Sequence, residues 1–138
     1  MTDVHSKETR SYNMSRIRSK NTKPEMLVRK FLFANGFRYR LHDKKLPGRP
    51  DLVLHKYKTV IFIHGCFWHG HEGCRFFAVP KTRMEWWLKK ISTNINNDSV
   101  SVFKLRETGW KVLTIWECDL RKNTVNITLD NLLKEFQT

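Results

Sequence analysis

Three of the chain's six histidines and two of its three cysteines fall in one stretch, His64-Gly65-Cys66-Phe67-Trp68-His69-Gly70-His71-Glu72-Gly73-Cys74. Thiolate and imidazole are the ligands that tetrahedral zinc takes in closed structural sites. Cys66, His71 and Cys74 could supply three of them from one loop, and Cys118, just past an apolar run ending at Trp116, could supply the fourth. A loop this short and glycine-rich cannot bury a core of its own, so an ion would tie it to a distant strand and hold its neighbours in place. Spacing alone leaves open which of His64, His69 and His71 is the ligand. A second feature is Asp51, a carboxylate beside Pro50 at the head of the apolar run Leu52-Val53-Leu54. Carboxylate oxygens suit hard divalent cations, and nucleases of the Pro-Asp type add a second acid from the next strand. The comparable place here is Phe62-Ile63-His64, which has no acid. A backbone carbonyl or another carboxylate would have to help, and Glu25 and Asp98 are candidates by type.

The elements that must carry these groups can be read from periodicity. Thr22-Lys23-Pro24-Glu25 has capping-box spacing with proline in the first turn, and Leu27, Val28, Phe31 and Leu32 follow at helical spacing, which predicts a helix from about Lys23 to Asn35 stopped by Gly36. From Phe37 the period becomes two: Phe37, Tyr39 and Leu41 alternate with Arg38, Arg40 and His42, the pattern of a half-buried strand with a basic outer face. The turn-rich Leu46-Pro47-Gly48-Arg49-Pro50 leads to strands at 51–54 and 59–64. Thr82-Arg83-Met84-Glu85 repeats the capping-box spacing and predicts a helix holding Trp86, Trp87, Leu88 and Ile91, with a further helical stretch ended by Gly109. Trp110 to Trp116 reads as a fourth strand, and Leu129, Leu132, Leu133 and Phe136 place a short amphipathic helix at the end. The expectation is one α/β domain, a mixed central sheet flanked by helices, with a basic arm at 1–22 and the main domain at 23–138.

The whole-chain arithmetic narrows the partner. In 138 residues, 26 Lys+Arg against 13 Asp+Glu leave +13 at pH 7, while 40% hydrophobic residues suffice for a core. Such an excess suits a polyanion, and nucleic acid leads over an anionic surface. No run approaches the ~18 apolar residues of a membrane span and the first residues lack the apolar stretch of a signal peptide, so a cytoplasmic protein without a membrane partner is expected. Three cysteines argue against a disulfide framework. Two other classes share these features: a zinc-stapled nucleic-acid-binding module without catalysis, and a zinc hydrolase using His64, His69 or His71 at an open metal site.

Taken together, Asn13-Met14-Ser15-Arg16-Ile17, Thr22-Lys23-Pro24-Glu25, Leu46-Pro47-Gly48-Arg49-Pro50-Asp51, the His64 to His71 stretch, and Gly109-Trp110-Lys111-Val112 through Trp116-Glu117-Cys118 resemble the very short patch repair endonucleases. The likeness runs from about Ser6 to Leu120. It implies a restriction-endonuclease-like fold that nicks one strand of duplex DNA next to a T:G mismatch left by deamination of 5-methylcytosine. It further implies magnesium, two ions, on Asp51 and the main-chain carbonyl of Ile63, with Glu25 holding a water of the metal's shell. His69 would contact the scissile phosphate and move a proton, and His64 would assist; an imidazole that titrates near neutrality suits that task. Cys66, His71, Cys74 and Cys118 match the family's single structural zinc. Where the family commonly has threonine this chain has Ile63, a small departure because the carbonyl is what acts.

The resemblance casts Phe67, Trp68 and Trp87 as a wedge inserted beside the mismatch, with Met14 on the arm approaching from the other groove. Trp86 is expected to pack inward, and Trp110 and Trp116 to belong to the core. Arg16, Arg18 and Lys20 on the arm, Arg49, and the basic residues between Phe37 and Arg40 would contact phosphates. A single-strand nick needs one site, so a monomer is expected, nucleoid-associated when on DNA and open to coupling with downstream repair proteins.

Overall fold

The computed structural model describes residues 21–75 and 77–137. The expected arm residues Met14, Arg16, Arg18 and Lys20 lie outside the described residues.

Helix α1 (Lys23–Ala34) starts where the spacing places it, with Thr22 accepting from the Glu25 N–H and Pro24 in the first turn. Gly36, at φ 88, ends it: Gly36 N–H donates to Phe33 and Phe37 N–H to Leu32, a Schellman stop. The reciprocal half of the capping box is absent, because the Glu25 carboxylate takes the N–H of Asn21 and turns inward.

Strand β1 is only Arg40–Leu41, shorter than the expected Phe37 to His42. The burial alternation does run from Phe37 to Leu41, but a left-handed φ of 47 at His42 takes the chain off the ladder. Strands β2 (Leu52–Leu54), β3 (Thr59–His64) and β4 (Lys111–Trp116) complete a sheet in the order β1-β2-β3-β4. The first two pairings are antiparallel and β3–β4 is parallel, so the sheet is mixed.

A parallel pair needs a crossover, and one 24-residue helix, α2 (Met84–Glu107), supplies it. Two separate helical stretches were expected there. They are continuous, because no glycine or proline interrupts 84–107. Thr82 is not its cap: Arg83, left-handed at φ 58, occupies that position without a side-chain bond. Helix α3 (Val125–Lys134) follows a 3-10 turn at Glu117–Leu120.

Alternation along the central strands splits the core between two faces. Leu52, Leu54 and Ile61 pack with Val28 and Leu32 of α1 and Leu132 of α3. Val53, Val60 and Phe62 face Leu105 of α2 and Trp110. The architecture is α/β, helices on both faces of a mixed sheet, with the carboxyl end of β3 and the start of β2 meeting at one edge. Among the described residues no helix is long and apolar enough to cross a membrane.

Candidate functional site

A cavity of about 860 Å³ opens at that edge, and Asp51, Ile63, His64, His69, Asp98, Arg49 and Lys90 are among its lining. Asp51 is 8% exposed and accepts the Ile63 N–H at 2.7 Å. Continuing the β2–β3 register from Leu52↔Ile61 sets Pro50 opposite Ile63, and proline has no N–H to give. The N–H and C=O of a strand residue face the same neighbour, so the Ile63 carbonyl lies toward the β2 edge, where the ladder has stopped supplying donors.

Glu25 of α1 is wholly buried beside Asp51. Its oxygens take the Arg29 guanidinium at 3.2 Å and His42 Nε2 at 2.9 and 3.0 Å. Ligand atoms of Glu25, His42 and Asp51 lie within 4.8 Å of one another. Burial above all, and then the Glu25 charge, raise Asp51 to about 7 against the pull of the Ile63 N–H. Two buried carboxylates resist ionising together unless a cation joins them, and hard oxygens at this spacing fit a divalent one.

Across the cavity, His69 Nδ1 meets Asp98 Oδ2 of α2 at 2.6 Å. A carboxylate on Nδ1 selects the tautomer and leaves Nε2 for other chemistry. His64, at the end of β3, stacks on His69 with ring centroids 3.8 Å apart and planes 3° from parallel. Burial first, and the neighbouring His69 second, lower His64 to about 4, so its ring stays neutral at neutral pH. Although His64, His69 and Asp98 cluster within 4.8 Å, the lone pairs of stacked rings lie in parallel planes 3.8 Å apart at the centroids and do not meet on one ion. The trio suits proton movement better than chelation.

Cys66, His71, Cys74 and Cys118 offer ligand atoms that all lie within 4.8 Å. His71 Nδ1 and Cys118 Sγ are 3.4 Å apart, close to the ~3.5 Å edge of a tetrahedron built from usual zinc bonds. Burial, then the adjacent Cys66 and Cys74 thiols, push Cys118 up to about 12, and Cys66 is raised by burial as well. Thiols so crowded give up protons to a cation, and these four would form a closed set. Trp116 stacks on His71 at 4.0 Å and meets His64 edge-on at 5.2 Å. It is half-buried and serves as a platform for both rings, a correction to the expected core residue.

The loop bearing these groups is held to α2 at close range. A Cβ on Gly70, left-handed at φ 59, would come within 2.7 Å of Ile95 and 2.8 Å of Ile91. Asn94 donates its amide to the Trp68 carbonyl at 2.8 Å. Phe67, Trp68 and Trp87 form one aromatic cluster with centroids 5.2 to 5.6 Å apart. Trp86 joins it edge-on at 4.7 Å and is 46% exposed rather than packed inward, with the Arg83 guanidinium 5.0 Å above its ring. The helix begins one residue later than the capping-box spacing suggested, and Trp86 stands on its exposed side.

The structure thus brings Asp51 and Ile63 to one wall with Glu25 buried beside Asp51, His64 and His69 to another, and gathers the Cys3His set and three of the four expected wedge residues. Arg49, left-handed at φ 48, stands at the cavity mouth. His42 and the pairing of Asp98 with His69 are additions. The alternation of β1 put His42 on an outer face, and nothing local marks Asp98, which lies 29 residues from His69.

A buried carboxylate pair at a sheet edge, a carboxylate-held imidazole lining the same cavity as Asp51, and a basic chain suit a metal-assisted nuclease. The family can be named: residues 2–75 match the DNA mismatch endonuclease Vsr family, to which the chain belongs. It is 48% identical over 138 residues to the type II nicking enzyme V.NmeAIP of Neisseria meningitidis, covering 99% of this chain and 98% of that one. With the DNA mismatch endonuclease Vsr of Escherichia coli K12 it shares 49% over 121 residues, 88% of this chain and 77% of that one. The type II nicking enzyme V.XorIIP of Xanthomonas oryzae is 48% identical over 120 residues, 87% of this chain and 88% of that one.

Proposed function

We propose that the protein is a magnesium-dependent endonuclease of restriction-endonuclease-like fold. It nicks one strand of duplex DNA beside a T:G mismatch and so opens very short patch repair. The observation that carries the reading is the shared cavity with Asp51 on one wall and the Asp98-held His69 on the other. Asp51 and the Ile63 carbonyl would hold magnesium, with Glu25 holding a water of its shell. When bound, the metal would polarise the scissile phosphodiester and offset charge on the departing oxygen. His69, oriented through Nδ1, would present Nε2 to the phosphate and move a proton there, while neutral His64 supports its ring from behind. Cys66, His71, Cys74 and Cys118 would bind one structural zinc, fixing His69 between two ligands of one ion.

Phe67, Trp68 and Trp87 would enter the stack at the mismatch, where unstacking costs least. Arg49 and the basic arm would bind phosphates. The protein would act as a cytoplasmic monomer on nucleoid DNA, handing the nick to downstream repair proteins.

The test is incubation of the purified chain with matched and T:G duplexes, with and without magnesium. One strand should be cut, only in the mismatched duplex and only with the metal. Equal cutting of the matched duplex would remove mismatch direction, and binding without cutting would favour a zinc-stapled binding module.

A further inference from the structure

We propose that His42 is a positioning residue of the carboxylate site: its Nε2–H holds Glu25 in the orientation in which Glu25 and Asp51 serve one divalent cation. The proposal rests on the reading of Asp51 as that cation's ligand. Glu25 belongs to α1 and Asp51 to the head of β2, two elements whose relative placement decides whether their oxygens converge. His42 reaches both. Its ring nitrogen lies 2.9 and 3.0 Å from the two Glu25 oxygens, and its main-chain N–H donates to the Asp51 carbonyl at 3.2 Å. Arg29 and the Asn21 N–H touch Glu25 too, but both come from the same end of the chain as α1 and do not tie it to β2.

The backbone at His42 is strained into the left-handed region, at φ 47, which non-glycine residues uncommonly adopt. That turn ends β1 and lets the ring leave the outer row on which strand alternation would have set it. The residue is only partly buried, with a side chain 16% exposed, so packing alone does not account for the conformation.

The same atoms could in principle supply a third ligand, since Nε2 lies within 4.8 Å of the Asp51 and Glu25 oxygens. The contact distances favour the donor role. One ring nitrogen nearly equidistant from both oxygens of a carboxylate shares a proton between two acceptors, whereas a bare lone pair there would face two others. The roles also differ in what replaces them: a glutamine amide can donate as the imidazole does, but it is no nitrogen ligand.

Manganese stands in for magnesium and can be followed directly. In the full-length, zinc-loaded protein without DNA, Mn2+ affinity is measured by electron paramagnetic resonance for the parent, His42→Gln, His42→Ala, His42→Leu and Asp51→Asn, with zinc content and melting recorded for each. Loss of the donor in His42→Ala should weaken Mn2+ binding by ~10-fold or more, the usual effect of removing a partner of a ligand. His42→Leu, which keeps volume without the donor, should match it and serves if the alanine variant fails to fold. His42→Gln should stay close to the parent, and Asp51→Asn should lose the site. Parental affinity in both donor-free variants, with Asp51→Asn defective, would overturn the role of His42 alone. A glutamine variant as weak as alanine would make the ring a ligand and overturn the positioning role. Parental affinity in Asp51→Asn would instead defeat the reading on which the proposal rests.

Discussion

At the scale of single residues, the site is built from groups that are unfavourable where they stand until they meet a cation or a substrate. Asp51 illustrates this with a definite sign. Its carboxyl rises from an ordinary 3.8 to about 7 in the folded chain, so the fold binds that proton more tightly than the unfolded chain does. Below 3.8 the carboxyl is neutral in both states and costs nothing. As pH rises toward 7 the cost of keeping the charge buried grows, and the gap corresponds to about 4 kcal/mol above that range. Asp51→Asn keeps an oxygen for the Ile63 N–H and offers Glu25 an amide donor. At pH 8 without magnesium it is expected to melt several degrees above the parent, with the difference vanishing near pH 4, while nicking is lost. Saturating magnesium should raise the parent and not the variant. A variant that melts lower at pH 8 would contradict the assigned burial cost. Asp98 acts through geometry instead. Asp98→Asn still fits against His69 but no longer stabilises a positive ring, so the maximal nicking rate should fall by ~10²-fold while mismatch binding holds. Single-turnover rates beside equilibrium binding separate the two. Asp51 and the histidine-cysteine stretch were legible because their types are rare and clustered. His42 was not, because a single left-handed dihedral moved it to another face.

At the scale of elements, two devices place those residues: the edge where β2 and β3 stop pairing, and the loop from Gly65 to Cys74. The edge was readable, since Pro50 announces the end of a ladder and 59–64 is an unbroken apolar strand. Helix α2 was misread at its start, where capping-box spacing is only a local sign, and in its middle, where no glycine or proline breaks the 24 residues that make the β3–β4 crossover. The loop owes little to regular secondary structure. Gly70 lets it lie against Ile91 and Ile95, and its thiols are poor neighbours for each other without an ion. Cys118→Ser removes the proposed strand-side ligand, 52 residues from Cys66. Zinc stoichiometry is expected to fall well below one and the melting temperature to drop, with nicking lost because His69 is no longer pinned between ligands. A variant with full zinc content and parental melting would exclude Cys118 from the set.

At the scale of the whole molecule, the charge of +13 suits attraction that is blind to sequence, and in the proposed function the aromatic cluster would supply the discrimination. These contributions are separable because they respond to different variables. Each phosphate contact releases condensed counterions, so log affinity falls with log salt by about 0.9 per contact, whichever base pair is present. Arg49 is an exposed positive charge lining the cavity, proposed above to bind phosphate. Arg49→Ala should therefore weaken matched and T:G duplexes alike and reduce the salt slope by about 1. Trp87 touches Phe67, Trp68 and Trp86 and carries no charge. Trp87→Ala should leave the slope unchanged and lower the ratio of T:G to matched affinity, since the ring is useful only where a pair yields easily. Titrations at three or more salt concentrations on both duplexes give the slope and the ratio together. A change in slope for Trp87→Ala, or a change in ratio for Arg49→Ala, would show that attraction and discrimination are not divided between these surfaces as proposed.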